Sequence, residues 1–151
     1  MKKIEDEIKQ RKFANAQQKA MLNLIYTSNW LQGKQQNFFK KFGVTGQQFN
    51  ILRILKGQHP NSISGKEIKS RMLDRNSDVS RLLDRLAAKN LIARRVCPND
   101  KRASDVIITD EGLTLLKAIS KVRYQEEILT LSDEEAETLS SLLDKVRHTS
   151  N

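Results

Sequence analysis

The sequence predicts a mainly α fold carrying one small β-hairpin, an α+β chain organised as a single domain, and three observations carry that reading. Apolar residues recur at spacings of three and four along most of the 151 residues. Three Ser/Thr-x-x-Glu/Gln boxes, which satisfy orphan backbone donors at helix starts, punctuate the pattern. Only between 91 and 109 does the period shorten to that of strands. A chain of this length can bury a core without disulfides or metal.

The elements follow in order. Residues 4–42 read as helical, with Leu22, Leu24, Ile25, Leu31, Phe38, Phe39 and Phe42 in an uneven stripe that Gly33 and the polar run 32–37 interrupt. Phe42-Gly43 supplies a glycine stop, and Thr45 with Gln48 starts a second helix through Phe49, Leu52, Ile54 and Leu55, which Gly57 and Pro60 end. After the β-prone Ser62-Ile63-Ser64, the Ser64 to Glu67 box opens a short helix to about Leu73. The next helix starts near Asn76 or Ser77, both competent N-caps, and runs to Asn90. Val79, Leu82, Leu83, Leu86 and Ala87 commit one of its faces to a core, and Asp78, Ser80, Arg81, Asp84 and Arg85 occupy the other.

Leu91 to Val96 and Asp105 to Thr109 are β-branched-rich runs joined by a turn-prone segment with Pro98, Asn99 and Asp100, which predicts a hairpin with a basic tip. From Asp110 the helical period returns through Leu113, Leu116, Ile119 and Val122 and on to Leu129. Ser132 with Glu135 is the third box, and the last helix carries Leu139, Leu142, Leu143 and Val146.

Charge narrows the function. The net charge is +9 and the pI about 9.8, which favours a polyanion, nucleic acid or an anionic membrane, as partner. Residues 1–63 hold 11 basic and 3 acidic side chains, 64–109 hold 11 and 6, and 110–151 hold 5 and 9. The positive potential therefore belongs to the first two thirds. No membrane role is expected, since basic and acidic residues interleave rather than forming one amphipathic face.

The single cysteine, Cys97, has no intrachain partner, and no apolar run is long enough for a signal peptide or membrane span, so a reducing cytoplasmic setting is expected. His59 and His148 have no metal-ligand spacing, and no phosphate-binding glycine loop or nucleophile motif occurs. No enzyme activity, metal or cofactor is expected. A helix, turn and helix followed at once by a basic hairpin is instead a compact device for gripping duplex DNA by groove and backbone together.

The run SDVSRLLDRLAAKNLIARRVCPNDKRASDVIITDEG, residues 77–112, resembles the recognition helix and wing of the MarR/SlyA family of bacterial transcription regulators. The matching residues are Asp100-Lys101-Arg102, Ile107-Ile108-Thr109 and Gly112, and the helical order on either side agrees. Lys101 stands where the family has arginine, keeping charge but losing the planar fork. Asn90 replaces the usual glycine and tolerates the left-handed conformation.

The resemblance implies a winged helix-turn-helix lobe over 44–112, flanked by dimerisation helices in 1–43 and 113–151. It implies a homodimeric repressor on a pseudo-palindromic operator, because one recognition helix reads too little sequence alone. Arg75, Asn76, Ser77, Asp78, Ser80, Arg81 and Arg85 are the expected recognition-helix contacts, with Arg81 foremost and Asp78 read as a cap ahead of a base contact. Arg94, Arg95, Asp100, Lys101 and Arg102 form the expected wing set, Arg102 entering the minor groove. Arg94, Arg95 and Arg85 can equally make internal ion pairs that fix the wing on the helix.

Lys66 and Lys69 would face the DNA backbone or simply solvent. The resemblance also implies a small aromatic or lipophilic effector, with Tyr26, Trp30, Phe38, Phe39 and His59 as candidate pocket residues, each also an ordinary core or surface position. Two alternatives remain open: a winged-helix protein-interaction module that does not bind DNA, and a redox-sensing regulator acting through Cys97.

Overall fold

Eight helices and three strands make up the described part of the computed structural model. It describes residues 1–97 and 100–148, and for 96–97 and 100–104 the backbone alone. The chain divides into two compact units, Met1–Lys121 and Val122–Asn151.

The first unit opens with a single helical turn, α1 (Ile4–Glu7), which buries Ile4. The continuous helix expected over 4–42 is broken here: Lys9 adopts a left-handed backbone with φ of 55°, and helix resumes only at Asn15, whose side chain caps α2 (Ala16–Lys40) by accepting from Gln18 N–H. Past that break α2 runs unbroken through Gly33 and the polar segment. Gly43, with φ of 71°, turns the chain into α3 (Gly46–Gln58). Thr45 and Gln48 form the reciprocal capping box the sequence predicts. Gly57 does not end α3, which stops at Gln58 with Pro60 two residues on.

Strand β1 (Ile63–Ser64) leads into α4 (Gly65–Arg71). Ser64 accepts from Glu67 N–H, but Glu67 spends its carboxylate on Arg71 at 3.4 Å rather than reaching back, so only half of that box forms. α5 (Val79–Ala88) starts later than expected: Asp78, not Asn76 or Ser77, is the N-cap, its carboxylate accepting from Arg81 N–H at 3.2 Å. At its other end Asn90, with φ of 59°, accommodates a Schellman closure in which Leu91 N–H donates to the Leu86 carbonyl and Asn90 N–H to that of Ala87.

Strands β2 (Ile92–Cys97) and β3 (Asp100–Ile108) form the hairpin, and β3 pairs with β1 as well, giving the antiparallel order β1-β3-β2. Register runs from Ile92 opposite Ile108 to Val96 opposite Ser104, with an irregularity after Val96. Thr109 then caps α6 (Asp110–Ser120). The core of this unit is built by Phe39, Ile51, Leu52, Leu55, Ile68, Leu86 and Val106, one contribution or more from each of α2, α3, α4, α5 and β3. Each such side chain contributes roughly 1.5 to 3 kcal/mol by leaving water.

The helix expected to run on to Leu129 instead ends at Ser120, and a separate turn, α7 (Tyr124–Ile128), follows in the second unit. There Ser132 and Glu135 complete a reciprocal capping box at the start of α8 (Asp133–Arg147), which buries none of its residues. Among the described residues no helix is long and apolar enough to cross a membrane.

Candidate nucleic-acid interface

The two-faced pattern of α5 creates the site. Val79, Leu82, Leu83 and Leu86, at spacings of three and four, are buried, and this fixes the opposite stripe of Ser80, Arg81, Asp84 and Arg85 toward solvent. Arg75, Asn76 and Asp78 are exposed in the turn before the helix rather than within it. Ser77, expected on the recognition face, is not presented there. It is 5% exposed and its hydroxyl donates to the Asp74 carbonyl at 2.7 Å, so burial and that bond take it out of any groove-facing set.

Among the described residues, cations around this face divide into paired and unpaired. Arg94 of β2 donates to the Asp84 carboxylate at 2.6 Å and to the Ser80 carbonyl at 3.3 Å, strapping the hairpin to the exposed face of α5. Among the described residues the internal pair therefore falls to Arg94 and not to Arg85. Lys89 donates to the Gly43 carbonyl and to Gln48 Oε1, and Arg71 pairs with Glu67. Lys66, Lys69, Arg75, Arg81, Arg85 and Arg95 are exposed and make no ion pair with another described residue, leaving their charges available to a polyanion. The side chains of Cys97, Asp100, Lys101 and Arg102, and the tip residues Pro98 and Asn99, lie outside the described residues.

Close packing explains Gly112. Thr109 N–H donates to the Leu91 carbonyl, drawing the start of α6 onto the end of α5, and a Cβ at Gly112 would lie 2.4 Å from that same carbonyl oxygen. The glycine that follows the wing strand is thus required by backbone approach.

The turn between α4 and α5 has organisers that the sequence reading missed. Asp74 and Gln47 are joined at 3.0 Å, and Asn50, buried in α3, accepts from Leu73 N–H at 2.9 Å. The spacing of Asp74 to Ser77 hinted at a local turn; nothing in the sequence announces the contacts to α3, more than twenty residues away.

The five candidate pocket residues do not converge within one chain. Tyr26 and Trp30 line a cleft of about 480 Å³ with residues 1–5, Glu7, Lys19, Asn23 and Thr27. Tyr26 donates to Glu7, which raises its phenol above the ordinary range, and Lys19 bonds Glu5, which holds that carboxyl below its ordinary value. Phe39 is core, stacked on Phe49 at 4.6 Å, with Phe38 edge-on at 5.1 Å, and His59 is exposed past the end of α3.

A helix-turn-helix whose second helix buries one face and whose hairpin is strapped beside the other is a winged helix. Comparison gives the family. Residues 42–103 match the model of the MarR family. The HTH-type transcriptional regulator PecS of Dickeya dadantii is 30% identical over 112 residues, 72% of this chain and 68% of PecS. MhqR of Bacillus subtilis, also an HTH-type transcriptional regulator, is 30% identical over 111 residues, 70% of this chain and 74% of MhqR. A mutant MarR from E. coli, solved in complex with operator DNA, is similar with a TM-score of 0.69 at 26% identity, covering 82% of this chain and 91% of that one. The chain belongs to the MarR family.

Proposed function

We propose that this protein is a sequence-specific DNA-binding regulator of transcription, a homodimeric repressor released by a small aromatic or lipophilic effector. The observation that carries the reading is the exposed stripe of α5, where Ser80, Arg81 and Arg85 face solvent over a fully committed apolar face, beside a hairpin strapped on by Arg94. In this reading α5 enters the major groove with Arg81 on a base edge, Arg75 and Arg85 on phosphates, and Lys66 and Lys69 on the backbone. The wing, with Asp100, Lys101 and Arg102, lies along the minor groove. Family membership and the operator-bound relative support the same arrangement.

Two further features support the dimer and the effector. Met21, Leu24 and Ile25 are exposed on α2, and Leu139, Leu142 and Val146 on α8, apolar area of the kind that a second copy covers. The Tyr26 and Trp30 cleft offers aromatic walls to a ligand.

Titration of a selected duplex and a scrambled one tests the reading. Arg81→Ala loses about 1 to 3 kcal/mol of discrimination, whereas Arg102→Ala weakens both complexes and reduces the salt slope by about one. Unchanged affinity and slope for Arg102→Ala would remove the wing from the interface. A stable monomer by light scattering at micromolar concentration would reject the dimer.

A further inference from the structure

We infer that Asp74 is the positioning residue for base readout: by tying the turn 72–78 to α3 it sets the entry of α5 and hence where Ser80 and Arg81 meet base edges. The inference rests on the DNA-binding reading above and concerns a residue that reading does not use.

Between the last residue of α4, Arg71, and the first of α5, Val79, the chain changes direction with neither glycine nor proline. Hydrogen bonds define the turn instead, and most converge on one side chain and its own carbonyl. Asp74 Oδ1 accepts from Asn76 N–H at 2.9 Å, and Oδ2 accepts from Gln47 Nε2 at 3.0 Å. The Asp74 carbonyl accepts both the Ser77 N–H, at 3.2 Å, and the Ser77 hydroxyl, at 2.7 Å. One residue earlier, Leu73 N–H is held by Asn50 of α3. Asp78, the cap of α5, follows directly on the buried Ser77. The start of α5 is therefore registered against α3 through Asp74, with Gln47 as the anchor on the far side.

Charge argues that the contribution is geometric. A carboxylate in an exposed turn beside Arg75 repels phosphate, so Asp74 opposes the general attraction of this surface for DNA. Phosphate contacts by flexible cations tolerate small shifts of a helix, whereas hydrogen bonds to base edges weaken steeply with misalignment. Loosening the turn therefore erodes discrimination before it erodes affinity.

The test compares the 151-residue chain with its Asp74→Ala, Asp74→Asn and Gln47→Leu variants, measuring by fluorescence anisotropy the affinity ratio between a duplex selected from genomic fragments and its scrambled counterpart at one salt concentration. Asp74→Ala is expected to cut the ratio about tenfold, the effect of misplacing one base contact, while binding scrambled DNA as tightly as wild type or more so. Asp74→Asn restores the ratio, since its Oδ1 still accepts from Asn76 and the Gln47 amide can turn its oxygen toward the new Nδ2. Gln47→Leu lowers the ratio in the same direction and carries the test if Asp74→Ala does not fold. A purely stabilising role would scale both affinities together and leave the ratio alone. An unchanged ratio in Asp74→Ala, or in Gln47→Leu where that variant stands in, overturns the inference, as does an Asp74→Asn variant that behaves like alanine. A wild-type chain that shows no preference overturns the DNA-binding reading itself, which is a separate result.

Discussion

Replacing Gly112 with alanine sets two effects of opposite sign against each other. Gly112 is the third residue of α6, where helix propensity alone favours alanine by about 1 kcal/mol. The added Cβ, however, would meet the Leu91 carbonyl oxygen at 2.4 Å and Ile108 Cγ1 at 2.6 Å and Cδ1 at 3.2 Å. Neither neighbour is free to yield. The carbonyl accepts Thr109 N–H at 3.1 Å, and Ile108 is buried in β3. Overpacking of this kind costs roughly 1 to 3 kcal/mol, and two contacts under 3 Å place it at the upper end.

The net loss is then about 2 kcal/mol, or roughly 4 to 8 °C in Tm for a chain of this size. Thermal melts by far-UV circular dichroism, at one protein concentration because a dimer's Tm depends on it, give the comparison. Gly57→Ala in α3 is the control, since its Cβ meets nothing within 4 Å and the substitution should leave Tm equal or raise it slightly. A Gly112→Ala protein as stable as wild type would refute the claim that the junction of α5, β3 and α6 is closed by backbone approach.

Other expectations follow from the polar contacts. The hydrogen bond from Lys19 lowers the Glu5 carboxyl below its ordinary 4.5, so its contribution is complete above that value and lost as pH falls through the lower folded value. Trp30, the only tryptophan, shares the cleft with Glu5, so its fluorescence should change below about pH 4.5 in wild type and lack that step in Glu5→Gln; identical acid titrations would disprove the link. At the alkaline end the bond to Glu7 raises the Tyr26 phenol, so that contact persists through its ordinary range and is lost only above it, as spectrophotometric titration against Glu7→Gln would reveal. The Arg94 and Asp84 pair is partly exposed, at 33% and 68%, and a double-mutant cycle in urea should return a coupling of roughly 0.2 to 1 kcal/mol that shrinks with salt. A larger, salt-insensitive coupling would mean that the strap is a core element.

What the sequence made legible was local. The capping boxes at Thr45 and Ser132 and the left-handed Asn90 depend on residues within a few positions of one another. The errors arose where a local signal was absent or degenerate. No glycine or proline marks the break around Lys9, and Gly33 and Gly57 sit inside helices because the helical hydrogen bonds that run through them outweigh about 1 kcal/mol of propensity. Asn76, Ser77 and Asp78 are all competent caps, and the choice among them follows from the burial of Ser77 against the Asp74 carbonyl.

For the site, the exposed stripe of α5 was readable from its spacing. Which arginine binds Asp84 was not, because it depends on how β2 crosses α5. The anchoring of Asp74 by Gln47, 27 residues away, leaves no trace in either segment alone.

Sequence-specific binding by this chain is decided by selecting bound fragments from sheared genomic DNA with the purified 151-residue protein. The expected result is enrichment of a pseudo-palindrome whose half-sites are centred about one helical turn, roughly 10 base pairs, apart. Fragments recovered in proportion to their abundance, with no shared element, would contradict it.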